Sequence, residues 1–154
     1  MAEAKHLEYT LGEDLNIHIA NMIFEETTQE DKLFLPYAVS NKLRSLQDLL
    51  QATSNPERLI RLKDNQGNNA LALACIEGHR GIVKLLIGKI ADIENITLEG
   101  KTPLMESLCF RHGSLSEFLV LKGAPTSVKE AEGTSSLEIA KPGLEGMGEY
   151  EWML

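Results

Sequence analysis

The sequence is poor in residues on which several protein classes depend. Only 5% of its 154 residues are aromatic, and its two cysteines, Cys75 and Cys109, are too few for a disulfide framework. No apolar run approaches the ~18–20 residues that a membrane-spanning helix needs. The N-terminus lacks the pattern of a signal peptide. These shortages favour a soluble protein of a reducing compartment, and we expect it in the cytoplasm.

Positive charge is also scarce, with 15 Lys and Arg residues against 23 Asp and Glu residues and a net charge of −8. Nucleic acids and anionic membrane surfaces are bound by clustered Lys and Arg, so we expect neither as a partner. The length fits one domain at ~100–200 residues per domain. It is too short for a two-domain enzyme.

What the sequence does contain is a repeat with a period of 33 residues. A shift of 33 superposes Gly67 on Gly100 and Gly133. The same shift aligns three further sets: Leu71 with Leu104 and Leu137, Leu86 with Leu119, and Ala91 with Ala124. Each unit is predicted to form a turn, a short helix, a tight connection and a second helix. Because neither helix can bury its apolar stripe alone, neighbouring pairs must stack.

Residues that favour helix starts occur at the expected places in these units. Asn69 and Thr102 are predicted N-caps, and Pro103 occupies the favoured first helical position. Two further helices are predicted to begin with a capping box, in which a Ser and a Glu side chain each bind an otherwise unpaired amide. The two pairs are Ser114 with Glu117 and Ser135 with Glu138.

These motifs resemble the ankyrin repeat. The clearest unit contains Asp64-x-x-Gly67, Leu71-x-Leu73-Ala74, Gly78-His79, Ile82-Val83-Lys84-Leu85-Leu86 and Ala91-Asp92-Ile93. The next contains Gly100-Lys101-Thr102-Pro103-Leu104, and a third begins Gly133-Thr134-Ser135-Ser136-Leu137. The resemblance covers about residues 64–140. It implies an all-α, ankyrin-like solenoid of stacked helix-turn-helix repeats with short hairpin tips.

We interpret residues 1–154 as a single ankyrin-repeat domain. Its segments are an N-terminal cap helix at 1–32, a degenerate repeat at 33–63, repeats at 64–96 and 97–129, and a partial repeat with a C-terminal cap or tail at 130–154. Thr10 and Glu13 are placed as a capping box at the first helix. The acidic pair Glu30-Asp31 is predicted to lie on a solvated face.

The resemblance also implies a non-catalytic scaffold or adaptor that binds another protein. Partners of such proteins contact the hairpin tips and the exposed side of each inner helix, which together form a concave groove. We expect a partner that is basic or carries an apolar anchor, no cofactor, and a monomeric state. The alternative for Met105 and Phe110 is that they turn into the core. The candidate protein-binding residues are Asn65, Gln66, Asn68, Ile76, Glu77, Leu98, Glu99, Lys101, Met105, Cys109 and Phe110.

Other functions remain as alternatives. Two Cys–His pairs, Cys75 with His79 and Cys109 with His112, could share a zinc ion in a small metal-binding or enzymatic protein. Cys109 aligns with Ile76 at the 33-residue period, so the pairs do not superpose, and we expect no metal. No nucleophile–base motif is present, and we expect no enzymatic activity.

Two alternatives concern the ends of the chain. The glutamate-rich C-terminus is similar to signals on secreted bacterial effectors, a class known for ankyrin repeats, so an exported protein acting on a host protein is one alternative. The other is a structural unit that self-associates through an uncovered terminal repeat.

Overall fold

A computed structural model describes residues 28–89 and 91–140. These residues form eight α-helices: α1 (Gln29–Val39), α2 (Leu43–Ala52), α3 (Pro56–Ile60), α4 (Ala70–Glu77), α5 (Arg80–Gly88), α6 (Pro103–Cys109), α7 (Gly113–Leu121) and α8 (Ser136–Ala140). Most of the expected N-terminal cap helix, with its Thr10–Glu13 capping box, lies outside the described residues. The expected C-terminal cap or tail at 141–154 lies outside them as well.

The helices stack in two rows. In the inner row α1 packs against α4, α4 against α6, and α6 against α8. Helices α2, α5 and α7 form the outer row, and each packs against the inner helix that precedes it in the chain. This arrangement is the all-α helix-turn-helix solenoid that the repeat predicted.

The core between the two rows repeats with the sequence. Leu71 of α4 and Leu104 of α6 are buried at equivalent positions of the inner row. Leu86 of α5 and Leu119 of α7 are their buried counterparts in the outer row. Full burial of one such side chain contributes about 1.5–3 kcal/mol to folding. The leucines aligned by the 33-residue period are therefore the residues that join the stacked pairs.

Hairpin tips project between the helix pairs and repeat with the same period. Their closing backbone bonds run from Asp64 N to Asn68 O (2.9 Å), from Thr97 N to Lys101 O (3.1 Å) and from Glu130 N to Thr134 O (2.9 Å). Neighbouring tips are also joined, because Leu98 N donates to Gln66 O at 2.9 Å and Ala131 N donates to Glu99 O at 3.0 Å. Gly67 has a φ of +81°, and a Cβ there would lie only 3.0 Å from Leu98 N. Glycine at this position thus permits the close contact between tips.

The predicted helix caps can be compared with the structure. Three are confirmed: Asn69 Oδ1 accepts from Ala72 N at 2.9 Å, Thr102 Oγ1 accepts from Met105 N at 3.3 Å, and Ser135 with Glu138 forms both bonds of a capping box. The capping box predicted at Ser114 is wrong. Helix α7 begins at Gly113 with His112 as its N-cap, so Ser114 already lies in the first turn.

The first described unit differs from the sequence prediction in two respects. Helix α1 begins at Gln29 after the N-cap Thr28, so it runs through the boundary that we expected between residues 32 and 33. Asp31 is buried, whereas we expected it on a solvated face. Its Oδ2 accepts from Thr28 N at 2.8 Å and pairs with the guanidinium of Arg58 in α3. The charge is buried because a partner 27 residues away neutralises it.

Candidate functional site

A groove of about 170 Å³ lies between two hairpin tips and the ends of two inner helices. The tips contribute Gln66, Asn68, Thr97, Glu99 and Lys101, α4 contributes Ile76, and α6 with its C-cap contributes Glu106 and Phe110. The groove is therefore built from two successive repeats. Six of the eleven predicted binding residues line it: Gln66, Asn68, Ile76, Glu99, Lys101 and Phe110.

The Asp64 carboxylate organises the first tip. Its Oδ1 accepts from the backbone amides of Gln66 and Asn68, both at 2.8 Å, and its Oδ2 accepts from Asn68 Nδ2 at 3.0 Å. Partial burial alone would raise the pKa of Asp64, but these hydrogen bonds outweigh it and hold the pKa below its usual 3.8. Asn68 is buried by the same contacts, so it shapes the tip more than it presents a surface.

Glu106 is an acidic side chain inside the groove wall. It is only 6% exposed, yet it lines the groove. No group in residues 28–89 and 91–140 donates a hydrogen bond to its carboxylate. Burial raises the pKa of Glu106 above its usual 4.5, and the positive charge of Lys101 opposes the rise. Glu99 and Glu130 add smaller repulsive contributions that raise it further.

Lys101 is the cation of the groove, and it pairs with the more exposed acid. Its Nζ lies 2.8 Å from Glu99 Oε2. This hydrogen bond is the main reason that the pKa of Lys101 is raised. Exposed pairs of this kind contribute about 0–1 kcal/mol to stability. Lys101 is thus held at the tip while the carboxylate of Glu106 keeps no donor of its own.

Apolar side chains border the acidic part of the groove. Phe110 is 53% exposed and Leu98 is 78% exposed, whereas Ile76 is partly buried. Exposed aromatic and aliphatic side chains beside a polar rim are typical of the anchor positions of protein interfaces. Phe110 and Leu98, two of the predicted binding residues, are therefore exposed at the surface.

Met105 is not at the surface, and our prediction of it as a binding residue is wrong. The side chain is fully buried. Helix α6 packs between α4 and α8, so one face of it points into each neighbour. The equivalent residue one repeat earlier, Ala72, is also fully buried. Of the two residues for which burial was the alternative, Met105 therefore turns into the core and Phe110 does not.

Four of the other predicted residues are exposed but do not line the groove, and two lining residues were missed. Asn65, Glu77, Leu98 and Cys109 are exposed but outside the lining. Thr97 was missed although it lies one period after Asp64. Like the Asp64 carboxylate, the Thr97 hydroxyl accepts a backbone hydrogen bond within its hairpin tip, from Lys101 N at 3.2 Å. Glu106 was also missed, although an acid within the apolar run of α6 was a usable signal.

The residues of the two Cys–His pairs have structural contacts. Cys75 is buried, and burial raises the pKa of its thiol. His79 Nε2 lies 2.8 Å from Val39 O, and His112 Nε2 lies 2.8 Å from Ile76 O. Across the described ranges, no three His, Cys, Asp or Glu residues gather as metal ligands would. None of the described helices has the length and apolar character needed to cross a membrane.

Comparison with known proteins supports the repeat assignment. Human ankyrin repeat domain-containing protein 63 is 39% identical over 61 residues, which is 40% of this chain and 16% of that protein. Human ankyrin repeat and KH domain-containing protein 1 is 39% identical over 57 residues, 37% of this chain and 2% of that protein. The Caenorhabditis elegans ankyrin repeat and KH domain-containing protein mask-1 is 30% identical over 87 residues, 56% of this chain and 3% of that protein.

The chain thus spans only a small part of the length of these relatives. A family model described as ankyrin repeats (3 copies) matches residues 35–130, which is more than half of the chain. Ankyrin repeats are generally non-catalytic modules that bind other proteins. On this match, and on the stacked helix pairs with their hairpin tips, the chain belongs to the ankyrin repeat family.

Proposed function

We propose that this protein is a non-catalytic scaffold or adaptor that binds a partner protein through the concave groove and the hairpin tips. The observation that carries the proposal is the exposed aromatic side chain of Phe110 in the lining of a groove that two repeats build together. The exposed Leu98 lies between two residues of that lining, Thr97 and Glu99, in the chain. Buried on binding, an aromatic anchor of this kind typically contributes a large share of the interface energy.

The groove is preformed, which supports the same proposal. The backbone bond from Leu98 N to Gln66 O joins the two tips that border it. On the helix side, His112 holds the carbonyl of Ile76 and so fixes the end of α4 against the next unit. A site that is already ordered loses little conformational entropy when a partner binds. The solenoid therefore suits recognition by a rigid surface.

We also propose that the protein works as a monomer in a reducing compartment such as the cytoplasm. Cys75 and Cys109 are both free thiols. Burial is the main cause that raises the pKa of each thiol above its usual 9.0, which favours the protonated form over the thiolate. Light scattering over a range of concentrations should give a constant mass. A mass that grows with concentration would favour the self-associating structural unit instead.

The groove itself is tested by matched charge substitutions. Phe110→Asp and Leu98→Glu place charge beside the groove, and Leu121→Glu places it at the end of α7 on the outer row. Leu98 and Leu121 are equally exposed, at 78% and 77%, so the comparison isolates position. We expect the groove variants to lose partner proteins that the parent captures from a lysate. Leu121→Glu should retain them, with unchanged helical content by circular dichroism in all three.

The proposal fails if partner capture survives both groove substitutions. It also fails if Leu121→Glu removes the same proteins, since the outer row would then carry the interaction. Titration of a purified partner against each variant converts the comparison into a dissociation constant.

A further inference from the structure

We infer that the groove accepts an arginine or lysine side chain from an extended segment of the partner protein, with the cation paired to Glu106 and a neighbouring apolar residue packed on Phe110. The inference rests on the proposed function, because it specifies the partner chemistry at the same groove.

The first argument is the state of Glu106. Its side chain is more than nine-tenths buried and lines the groove, and the described residues supply its carboxylate with no hydrogen-bond donor. Among the described residues the fully buried side-chain atoms without a hydrogen-bond partner belong to Asp31 and Ser136, so the carboxylate oxygens of Glu106 still open onto the groove. A carboxylate that is partly desolvated in this way favours a cationic partner. A cationic side chain entering the groove would replace solvent at this carboxylate and donate a short, charge-assisted hydrogen bond to it.

The second argument is the charge balance around that carboxylate. Glu99 and Glu130 are the further acids whose charges act on Glu106, and Lys101 is the cation that acts on it. The thiol of Cys109 is influenced by the same groups. The Nζ of Lys101 already pairs with Glu99 Oε2 at 2.8 Å. Two acids, Glu99 and Glu106, line the groove with one lysine, and the charge of Glu130 acts on Glu106 from outside the lining. The groove is therefore negative, which favours a positive partner group and disfavours an acidic one.

The third argument concerns size and the nature of the walls. The volume of about 170 Å³ is below the ~300–1,000 Å³ of pockets for drug-sized ligands, and it suits one long side chain. Ile76 and Phe110 give the groove apolar surface next to Glu106. Arg and Lys have an apolar stem below the charged head, so their side chains match both parts of this wall. A free metal ion or small cation would leave the apolar part unused.

The positions of cations on the outer row are consistent with a partner cation that binds in the groove. Phe118 of α7 has Arg80, Lys84 and Lys122 around its ring, at 5.5, 5.7 and 5.6 Å from the centroid. These cation–π contacts place three positive charges on the outer helices. The outer row would therefore repel a basic segment that the groove attracts.

The test uses random extended peptides displayed on phage and selected on the full 154-residue chain. We expect the selected peptides to share an Arg or Lys next to an apolar residue. Synthetic copies are then titrated by fluorescence anisotropy against the parent, Glu106→Gln and Glu117→Gln. Loss of a buried charge-assisted bond should weaken binding about tenfold or more in Glu106→Gln. Glu117→Gln makes the same charge change on the exposed part of α7 and should leave affinity within about twofold.

A second pair of variants should move affinity in the opposite direction. Lys101→Gln removes the cation that competes for the groove acids, so it should tighten binding of the same peptides. Lys32→Gln makes an equal charge change on the exposed part of α1 and should not. Replacing the Arg or Lys of the peptide with norleucine should weaken binding to the parent. The same replacement should change the affinity for Glu106→Gln little, because both substitutions remove the same contact between the peptide cation and the carboxylate.

Each remaining outcome overturns the inference, and the outcomes separate it from the proposed function. If the peptides lack a shared cation, or if Glu106→Gln binds them as the parent does, the inference is wrong. If Phe110→Asp still abolishes that binding, the groove remains the binding site and the proposed function stands. If Phe110→Asp has no effect either, both fail. A library that yields no binder also overturns the inference, because a preformed pocket for one anchor should hold a short peptide.

Discussion

His112 Nε2 lies 2.8 Å from the carbonyl oxygen of Ile76 and so joins one repeat to the inner helix of the repeat before it. One period earlier, His79 Nε2 contacts Val39 O at 2.8 Å, at the end of α1. The last carbonyls of a helix have no partner within the helix. Each histidine therefore completes the end of its neighbour's inner helix, and the pair forms a recurring link along the stack.

This link predicts a loss of stability when either histidine is removed. His112→Ala should lower the free energy of unfolding by about 1–2 kcal/mol, because a partly buried hydrogen bond and its packing are lost. His79→Ala should lower the free energy of unfolding less, because the hydrogen bond between His79 and Val39 O is more exposed to solvent. Urea denaturation followed by circular dichroism measures both. Equal stability of parent and His112→Ala would show that the contact contributes nothing.

Gly78→Ala should be more damaging than its small size suggests. Gly78 has a φ of +75°, and a Cβ there would lie 2.6 Å from the Cε1 atom of the His112 ring. The left-handed backbone costs about 1–2 kcal/mol for a residue with a Cβ, and displacement of the ring adds the loss of its bond to Ile76. Gly88→Ala is the matched control, because Gly88 is helical and a Cβ there meets nothing within 4 Å.

Thermal denaturation separates the two glycine variants. Gly88→Ala should be neutral or more stable by about 0.5–1 kcal/mol. When His112 is already replaced by alanine, no ring remains to be displaced. Gly78→Ala should then lower the free energy of unfolding only by the cost of the left-handed backbone. An undiminished cost in the His112→Ala variant would contradict the proposed clash.

The two ion pairs of the first unit should differ in their contribution to stability. Asp31→Ala removes a buried carboxylate that caps α1 and pairs with Arg58, and it should cost about 1–3 kcal/mol. Glu57→Ala removes a pair with Arg61 at 3.6 Å in which both side chains are exposed, and it should cost less than about 0.5 kcal/mol. Urea denaturation of both variants tests this order, and a reversed order would contradict it.

Glu106 should make stability depend on pH. Folding raises its pKa above 4.5, so the native state binds the proton more tightly than the unfolded state does. Stability therefore falls as pH rises from 4.5 through the folded pKa. Glu106→Gln should be more stable than the parent at neutral pH and lose this advantage below 4.5. Glu117→Gln should show no such pH-dependent difference in urea denaturation, and a destabilised Glu106→Gln at neutral pH would contradict the prediction.

Much of the fold could be predicted from the sequence because its determinants are local. The caps at Asn69 and Thr102 involve an amide three residues away, within reach of the side chain. The error at Ser114 shows how local signals compete. His112 lies one period after His79, and both residues are N-caps in the structure, so the repeat was a better guide there than the Ser–Glu spacing.

By itself the sequence determined the period and the helix pairs, because a repeat transfers each local environment to the next unit. The hairpin tips and six of the eight groove-lining residues were expected only because the resemblance to the ankyrin repeat implies them. Only the tertiary structure decided the directions of adjacent side chains on α6. Met105 and Glu106 are one residue apart, about 100° around the helix, and packing against α4 and α8 sends the first into the core and the second to the groove wall. The burial of Asp31 likewise required Arg58 from a distant helix. Such contacts depend on how helices pack, and no local pattern of residues specifies that.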